Sequence, residues 1–335
     1  MTEEATGWGG GLWAAADLVT PMAIRVAATL RLADHIGAGI RTAEELAAVV
    51  QADRDALGRV LDHLVTAGVL VRAANCYDLT PLGEHLREDD PSGVRPWLDL
   101  DGAIGRADLS FIHLLHTVRT GEPAFPLQFG VPFWDDLAAD PGRSASFDAL
   151  MGSRLTADLP AIAAAYPWGA LGHVVDVGGG NGALLIAILR AHPELRGTVI
   201  DLPAPAANAQ KAFTAAGLDD RADALPGSFF DPLPVGAGGY LLSGVIHDWD
   251  DEDATRILRR CADAVARRGV VLIVDHIGDR EQSLDTEGDL RMLCYVRGRE
   301  RTVPQLGELA KSVGLRVNLV ISAGSRSIVE LTSSR

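Results

Sequence analysis

Four glycines and an acid stand together in "HVVDVGGGNGALL", which begins at residue 173 between two apolar runs. Asp176, Gly178, Gly180 and Gly182 give the spacing D-x-G-x-G-x-G at the end of a predicted strand. Glycines at the carboxyl end of a strand let a ligand touch the main chain, so this spacing predicts a cofactor site. Asp201 ends the next apolar strand, where an acid can bind the hydroxyl groups of a ribose.

Two cofactors fit this loop, and a glycine-rich turn without a ligand is the structural alternative. The loop can be read as a dinucleotide fingerprint, Gly178-x-Gly180-x-x-Ala183, which indicates a nicotinamide cofactor. Against this, Asp176 lies on the strand itself, as in methyltransferases that bind a sulfonium and an ammonium group. The chain also shows a single mononucleotide-binding unit, in its C-terminal half. These two features favour S-adenosylmethionine and methyl transfer.

A histidine lies at the same predicted edge. His247 follows the apolar strand "YLLSGVI" and begins "HDWDDED". The carboxyl ends of parallel strands meet at one edge of a sheet, so we expect His247 to lie on the edge where the cofactor binds. A strand-end histidine with only a structural hydrogen bond is the alternative.

The elements that must position these residues form a predicted α/β domain at 171–335. Short apolar strands, separated by helical stretches, are "HVVDV", "GTVID", "YLLSGVI" and "VVLIVD". Such an alternation predicts a parallel sheet covered on both faces, in a Rossmann-like arrangement. Residues 101–170 read as a helical linker that contributes to the substrate pocket.

The N-terminal part, 1–100, has the pattern of a winged helix. Thr42 with Glu45 makes a capping box, Asp53 is expected to cap the following helix, and Gly68 is expected to end it. A strand, a turn and another helix follow in "NCYDLTPLGEHLRED". A winged helix can place its second helix in DNA, but here that helix, "DRDALGRVLDHL", carries three acids against two arginines. Apolar helix faces that contact a protein partner are the preferred interpretation.

Composition limits the function classes. The 335 residues are 47% hydrophobic and 22% charged, which fits a globular protein with a sizeable core. A net charge of -15 would repel a phosphate backbone, so nucleic acid is not expected as a partner. Three widely separated cysteines predict neither disulfides nor zinc and favour a reducing cytoplasm. The acidic start and the lack of a long apolar run predict neither secretion nor membrane insertion.

Five ordered segments carry a resemblance to a known family. They are "VVDVGGGNG", "VIDLP", "GSFFDPLP", "GVIHDWDDEDATRILRRCADAV" and "DLRMLCYVRGRERTVPQLGELAKSVGL". Together they resemble the S-adenosylmethionine-dependent small-molecule O-methyltransferases of the caffeate and hydroxyneurosporene type. The segments "ADLVTPMAIRVAATLRLADHI" and "FFDPLPVGAGGYLLSGVIHDWDD" look most like bacterial enzymes that methylate naphthoic acids or aromatic polyketides. The resemblance implies a class I methyltransferase domain preceded by a winged-helix domain that forms a homodimer.

The resemblance also implies catalytic roles. His247 matches the general base that removes the proton from a phenolic hydroxyl, and Asp275 and Glu300 match two acids that hold the far nitrogen of its ring. The family usually has Glu at the position of Asp275, so this chain has a shorter acidic side chain there. Either the ring shifts towards Asp275 or Glu300 carries more of the orientation. An imidazole pKa near 6.5 suits such a base, which is typically worth roughly 10² to 10⁴ in rate. No metal is implied.

The remaining implied residues bind cofactor and substrate. For S-adenosylmethionine, which leaves as S-adenosylhomocysteine, the matching positions are Asp176, Gly178, Gly180, Gly182, Asp201, Ser228, Phe229 and Ser243. Ser228 and Phe229 replace Asp and Met, and Ser243 replaces a common Lys. These replacements bear on the affinity for the cofactor more than on its identity. Met292 matches a position that packs on the acceptor ring, and Phe133 and Trp134 are candidates for the pocket wall, with a core role as the alternative. Arg297 is a candidate partner for a substrate carboxylate.

The sequence therefore predicts a cytoplasmic, homodimeric enzyme that methylates a phenolic hydroxyl of an aromatic natural product. One alternative is a family relative that binds the cofactor and performs hydroxylation or decarboxylation, against which the presence of His247 speaks. A winged-helix transcription regulator with a ligand-sensing domain and a nicotinamide oxidoreductase are the rivals from other classes.

Overall fold

The computed structural model describes residues 11–265, 269–278 and 285–334, and it divides into two compact units. One unit comprises the described residues up to Leu109 together with Asp140–Phe147. The other comprises Ser110–Ala139 and the described residues from Asp148 onward. The segment expected to be a linker, 101–170, is thus divided between the two units. The acidic opening "MTEEATGWGG" lies outside the described residues.

The first unit is mainly helical and contains one small hairpin. In chain order its elements are α1 (Gly11–Ala16), α2 (Val19–Thr29), α3 (Leu32–Gly37), α4 (Ala43–Val49), α5 (Arg54–Thr66), β1 (Leu70–Ala73), β2 (Cys76–Leu79), α6 (Pro81–Glu84), α7 (Arg95–Leu98) and α8 (Ala103–Asp108). Strands β1 and β2 pair antiparallel, with Leu70 opposite Leu79. Helices α4 and α5 followed by this hairpin form the expected winged-helix arrangement.

The predicted helix ends in this unit are confirmed. Thr42 and Glu45 make the capping box at the start of α4. The side chain of Asp53 accepts a hydrogen bond from the Ala56 N–H at the start of α5. Gly68 follows α5 with a φ of 74°, a conformation that ends helices readily because glycine lacks a Cβ. Local side-chain chemistry therefore sets these boundaries.

The second unit begins with helices and continues as an α/β layer structure. Its elements are a 3₁₀ turn (Leu109–His113), α9 (Leu114–Thr120), α10 (Phe125–Phe129), α11 (Phe133–Ala139), α12 (Pro141–Thr156), α13 (Leu159–Ala165), a 3₁₀ turn (Trp168–Leu171), β3 (His173–Val177), α14 (Ala183–Ala191), β4 (Arg196–Asp201), α15 (Pro203–Ala216), β5 (Ala222–Pro226), β6 (Gly239–Ser243), a 3₁₀ turn (Ile246–Asp248), α16 (Asp251–Ala264), β7 (Val270–Asp275), α17 (Thr286–Tyr295), α18 (Val303–Ser312), β8 (Leu315–Ala323) and β9 (Arg326–Ser333). Residues 109 and 141–147 of these elements belong to the first unit.

The sheet has seven strands in the order β5-β4-β3-β6-β7-β9-β8. Strands β3 to β7 run parallel, whereas β9 pairs antiparallel with both β7 and β8. The parallel sheet expected from the four apolar strands is confirmed for β3, β4, β6 and β7. The antiparallel end was not predicted; there β8 and β9 form a hairpin that needs no crossover helix. The strand order reverses between β3 and β6, which is where doubly wound sheets bind ligands.

Both faces of the sheet are covered, as predicted. On one face Val175, Tyr240 and Ile273 belong to a cluster that includes residues of α16 and α18. On the other, Val174 and Leu272 belong to a cluster that includes residues of α13, α14 and α15. Successive residues of a strand point to opposite faces, so near-continuous apolar strands can fill both clusters.

The cysteines and the apolar helices of the described residues bear on two of the expectations from composition. Cys76 is exposed, Cys261 and Cys294 are buried, and all three are free thiols. In the described ranges no helix is long and apolar enough to cross a membrane.

Candidate active site

The glycine turn after β3 adopts a backbone that excludes side chains. Gly178 has a φ of 75° and Gly182 a φ of 77°. A Cβ on Gly178 would lie 2.8 Å from Cγ2 of Val245, and one on Gly182 would lie 2.8 Å from the ring of Phe213. Both positions therefore need glycine for conformation and for packing.

Two acids lie at this turn, on the first two strands of the α/β layer. Asp201, at the end of β4, accepts hydrogen bonds from the N–H groups of Gly180 at 2.8 Å and Leu202 at 2.7 Å. Asp176 is 1% exposed, and neither of its carboxylate oxygens has a hydrogen-bond partner among the described residues. Burial, with the nearby charge of Asp201, raises the pKa of Asp176 to about 7. A buried, unpartnered carboxylate beside a glycine turn fits a ligand that brings hydrogen-bond donors or positive charge.

The residues expected at the adenine end lie on the loop after β5 and at the end of β6. A Cβ on Gly178 would be 3.5 Å from the ring of Phe229, so this ring lies beside the glycine turn. The Phe229 ring also packs edge-on against Trp249, with 5.7 Å between centroids. The Ser228 hydroxyl accepts a hydrogen bond from the Phe230 N–H at 3.2 Å, and Ser243 is the last residue of β6.

His247 lies in the 3₁₀ turn that follows β6 and is surrounded by three acids. Its Nδ1 is 2.9 Å from Oε1 of Glu300 and 3.5 Å from Oδ1 of Asp275. Its Nε2 is 3.5 Å from Oδ1 of Asp248. The imidazole is 19% exposed, whereas the carboxylates of Glu300 and Asp275 are 4% and 5% exposed. The three residues expected to act together are thus brought together by the fold, from segments far apart in the chain.

The acids change the protonation of His247. Burial opposes the charged imidazole, but Asp275, Asp248 and Glu300 outweigh it and raise the pKa of His247 to about 10. Burial and the other carboxylates raise the pKa of Asp248 to about 7, although the charge of His247 opposes this. The pKa of His247 therefore lies above the ordinary imidazole value near 6.5, because three carboxylates stabilise the imidazolium.

His247, Asp275 and Glu300 also have the composition of a metal-binding group, and their ligand atoms lie within 4.8 Å of one another. In the described structure Nδ1 and Oε1 are joined by a hydrogen bond. His247 and Glu300 thus satisfy each other's hydrogen-bonding capacity directly at this point.

A short segment, 298–301, holds the turn that carries His247, a role that no pattern in the sequence predicted. The Arg299 N–H donates to the carbonyl of His247 at 2.8 Å. The guanidinium of Arg301, 3% exposed as a residue, donates to the carbonyls of Ile246 at 2.6 Å and Trp249 at 2.7 Å. It also bonds to Oδ1 of Asp251 at 2.8 Å. Arg301 therefore fixes the backbone on both sides of His247.

A second arginine lies behind Asp275. Nη1 of Arg326, at the start of β9, is 3.8 Å from Oδ1 of Asp275, and its Nε is 3.6 Å from Oδ2 of Asp158. Asp158 in turn accepts hydrogen bonds from the N–H and hydroxyl of Ser325 at 2.8 and 2.6 Å. The β8–β9 turn is thereby held beside the acid that faces His247. The spacing of 51 residues between Asp275 and Arg326 left no local pattern to predict this contact.

The candidate substrate residues fall into different environments. Phe133 is buried, and its ring stacks on Tyr295 with 5.6 Å between centroids. The Trp134 ring lies parallel to that of Trp249 at 6.4 Å, close to the His247 turn. Met292 is a partly buried residue of α17.

Arg297 is more exposed than these aromatic residues. Its side chain is half exposed and its φ is 65°. It lines an open pocket of about 350 Å³ with Asp250, at 3.8 Å, and Asp289 among the other residues. Acidic side chains therefore already lie near the Arg297 guanidinium in this pocket.

Comparison with known proteins agrees with the geometry. Residues 111–316 match the pattern of an O-methyltransferase domain, and residues 13–89 match that of an O-methyltransferase dimerisation domain. The chain is 54% identical over 324 residues, 96% of its length and 97% of the relative's, to 2,7-dihydroxy-5-methyl-1-naphthoate 7-O-methyltransferase of Streptomyces carzinostaticus.

Two further relatives are similar to this chain over most of its length. A crystal structure of an O-methyltransferase from neocarzinostatin biosynthesis, in complex with S-adenosylmethionine and 2-hydroxy-5-methyl naphthoic acid, matches with a TM-score of 0.92 at 54% identity, covering 96% of this chain and 98% of that one. Aclacinomycin 10-hydroxylase of Streptomyces purpurascens is 45% identical over 93% of this chain and 85% of its own. On the matched domains and these identities, the chain belongs to the family of O-methyltransferases that carry a dimerisation domain ahead of the methyltransferase domain.

Proposed function

We propose that this enzyme methylates a phenolic hydroxyl of a naphthoate-like or polyketide-type aromatic, with His247 as general base and S-adenosylmethionine as methyl donor. The observation that carries the proposal is the imidazole of His247, held by Glu300 and Asp275 at the sheet edge that also bears the glycine turn. When bound, the cofactor supplies an electrophilic methyl group on a positively charged sulfur.

The residues at the glycine turn favour this cofactor over a dinucleotide. Asp176 is a buried acid and Asp201 a partly buried one, and Asp176 has no protein partner among the described residues. Their negative charge would repel a pyrophosphate and attract an ammonium or sulfonium group. We assign Asp176, Gly178, Gly180, Gly182 and Asp201 to cofactor binding on this ground, with Ser228 and Phe229 on an adjoining loop and Ser243 at the end of β6.

His247 accepts the proton at Nε2. In the neutral ring that donates from Nδ1 to Glu300, the lone pair is on Nε2, which faces away from that acid. As the proton arrives, Glu300, Asp275 and Asp248 stabilise the imidazolium. The acids make His247 a stronger base, at the cost of a smaller neutral fraction at pH 7.

The acceptor assignment rests on the relatives. One is named as a naphthoate O-methyltransferase, and a similar structure contains a hydroxylated naphthoic acid. We therefore propose hydroxynaphthoic acids and related polyketide phenols as the acceptor class. The proposed ring contacts are Trp134 beside Trp249, Met292 on α17, and Phe133. Arg297 is the candidate partner for a substrate carboxylate.

We further propose that the enzyme works as a homodimer in the cytoplasm. The match to a dimerisation domain over 13–89 supports the dimer. Three free thiols, two of them buried, support a reducing compartment.

A second candidate is oxidative chemistry on the same scaffold, which the 45% identity to the hydroxylase favours. Incubation of the protein with S-adenosylmethionine and a panel of hydroxynaphthoates separates the two by mass spectrometry. A product heavier by one methylene supports methyl transfer, and one heavier by one oxygen supports hydroxylation. A folded His247→Ala protein with full methylation would overturn the assigned base.

A further inference from the structure

Helix α12 presents an acid to the glycine turn. Asp148, Gly152 and Leu155 lie at i, i+4 and i+7 and so share one face of this helix. Leu155 packs against the hydrophobic cluster on one face of the sheet. A Cβ on Gly152 would lie 3.5 Å from Nδ2 of Asn181, a residue of the glycine turn. The face that carries Asp148 is therefore turned towards the cofactor turn.

No cation among the described residues balances Asp148. It is half-buried, and within the described ranges it takes part in no hydrogen bond or ion pair. The charge that acts on it is that of another acid, Asp201, and burial together with this charge raises the pKa of Asp148. By contrast, Asp158 accepts a hydrogen bond from the Ser325 hydroxyl, and Asp285 accepts one from the Arg154 guanidinium.

Three carboxylates thus act on one another beside the glycine turn, and no basic side chain among the described residues pairs with them. Asp148 and Asp176 both interact with the charge of Asp201, and Asp176 is almost fully buried with both oxygens unpartnered. Like charges at such a site are unfavourable unless a positive group enters it. The unpartnered oxygens of Asp176 are a second, independent observation that fits a ligand with hydrogen-bond donors at this site.

We propose that Asp148 is a further cofactor-binding residue, which recognises a positively charged group of the bound cofactor. This inference rests on the proposed function, because S-adenosylmethionine carries two such groups, the sulfonium and the α-ammonium. Transfer of the methyl group leaves a neutral sulfur, so a contact with the sulfonium would also distinguish the substrate cofactor from its product.

Calorimetric titration of Asp148→Asn tests the proposal with three ligands. S-adenosylmethionine carries both cations, S-adenosylhomocysteine carries the ammonium alone, and 5′-methylthioadenosine carries neither. We expect about tenfold weaker binding of S-adenosylmethionine and unchanged binding of 5′-methylthioadenosine. Equal weakening for S-adenosylhomocysteine assigns the contact to the ammonium, and unchanged binding of that product assigns it to the sulfonium. Both results support the proposal.

Two controls keep the result interpretable. Asp263→Asn removes an exposed acid of α16 in the same unit and should leave all three affinities unchanged. Asp148→Glu keeps the charge and should retain most of the affinity for S-adenosylmethionine. Removal of an unpaired acid relieves repulsion, so the Tm of ligand-free Asp148→Asn should equal or exceed that of the parent.

Other outcomes overturn the inference. Unchanged binding of S-adenosylmethionine by Asp148→Asn would show that Asp148 does not contact the cofactor's charge. Equal weakening of all three ligands would mean that Asp148 only shapes the site. Failure of the unmodified protein to bind S-adenosylmethionine would instead contradict the proposed function, so the two failures are distinguishable.

Discussion

Glu300 lies closer to His247 than Asp275 does: Oε1 of Glu300 is 2.9 Å from Nδ1, and Oδ1 of Asp275 is 3.5 Å from the same atom. The longer acid therefore makes the hydrogen bond that orients the ring, and the shorter acid acts mainly through its charge. This relationship corresponds to the second of the two arrangements expected for a shortened acid at position 275.

The two acids should differ in their effect on turnover. Glu300→Gln replaces the oriented carboxylate and should lower kcat by about 100-fold, whereas Asp275→Asn should lower it by about tenfold. The KM for S-adenosylmethionine should change little in either variant, because neither acid is assigned to the cofactor. Steady-state kinetics with a hydroxynaphthoate acceptor measures both constants.

Glu308→Gln, an exposed acid of α18, is the matched control and should keep the parent's kcat. A larger loss in Asp275→Asn than in Glu300→Gln would contradict the assigned order. A cavity of about 10 Å³ beside Asp275 and His247 gives a longer acid some room, so Asp275→Glu should retain activity.

The protonation of His247 should be visible in the ligand-free protein. Its pKa of about 10 predicts that the ring stays an imidazolium as pH rises through neutrality and loses its proton only at alkaline pH. Activity that depends on the neutral ring should rise with pH over the same range. Asp248→Asn removes a stabilising charge and should move both transitions to lower pH. Titration of the His247 ring protons by NMR, with pH–rate profiles of both proteins, checks this.

A ring that is already neutral at about pH 7 in the parent would show that the acids do not stabilise the imidazolium. An unchanged transition in Asp248→Asn would show that Asp248 does not stabilise the imidazolium, and it would leave the roles of Asp275 and Glu300 intact. Tm values measured across the same pH range separate loss of fold from titration.

Arg301 should act as a positioning residue. Arg301→Met removes the donors to the carbonyls of Ile246 and Trp249 and should lower kcat much more than it changes the affinity for S-adenosylmethionine. Arg301→Lys restores the charge but not the fork of donors, so it should recover stability more than turnover. Kinetics, calorimetry and thermal unfolding measure these three quantities.

Arg299→Lys is the matched control, because Arg299 is half exposed and its contact with His247 is made by the backbone. Wild-type turnover in folded Arg301→Met would remove the role assigned to this guanidinium.

Gly178 should tolerate no side chain. Gly178→Ala adds a Cβ at a φ of 75° and 2.8 Å from Val245, and it should lower the free energy of unfolding by about 1–3 kcal/mol while weakening cofactor binding. Gly307→Ala in α18 meets only an ordinary contact at 3.8 Å and should be neutral or stabilising by up to about 1 kcal/mol. Denaturant titration of both variants tests the difference. Equal stability of the two would show that the turn can relax.

Local patterns allowed accurate prediction where local forces decide the structure. The caps at Thr42 and Asp53 are satisfied within three residues. Strand β3 and the glycine turn follow from an apolar run and a spacing rule, and His247 follows from its place after β6. The grouping of His247 with Asp275 and Glu300 was implied by the family resemblance, since these residues are far apart in the chain.

Contacts that long side chains make between distant parts of the chain could not be predicted from the sequence. Arg301 reaches backbone carbonyls some 50 residues away, and no spacing predicts such a bond. The pKa of His247 depends on how many acids surround it, and Asp248 added a third to the two expected. The antiparallel β9 was missed because β8 and β9 are joined by a tight turn instead of a helix.

The position of β9 in the chain has a consequence for synthesis. Strand β7 pairs with β6 on one side and with β9 on the other, and β9 begins 51 residues after β7 ends. On the ribosome, β7 therefore emerges with one edge unpaired, a condition that favours mispairing. Arg326 reaches Asp275 only when that edge is closed. A nascent chain can thus form the glycine turn early, but it completes the surroundings of Asp275 only after residues beyond 326 have been translated.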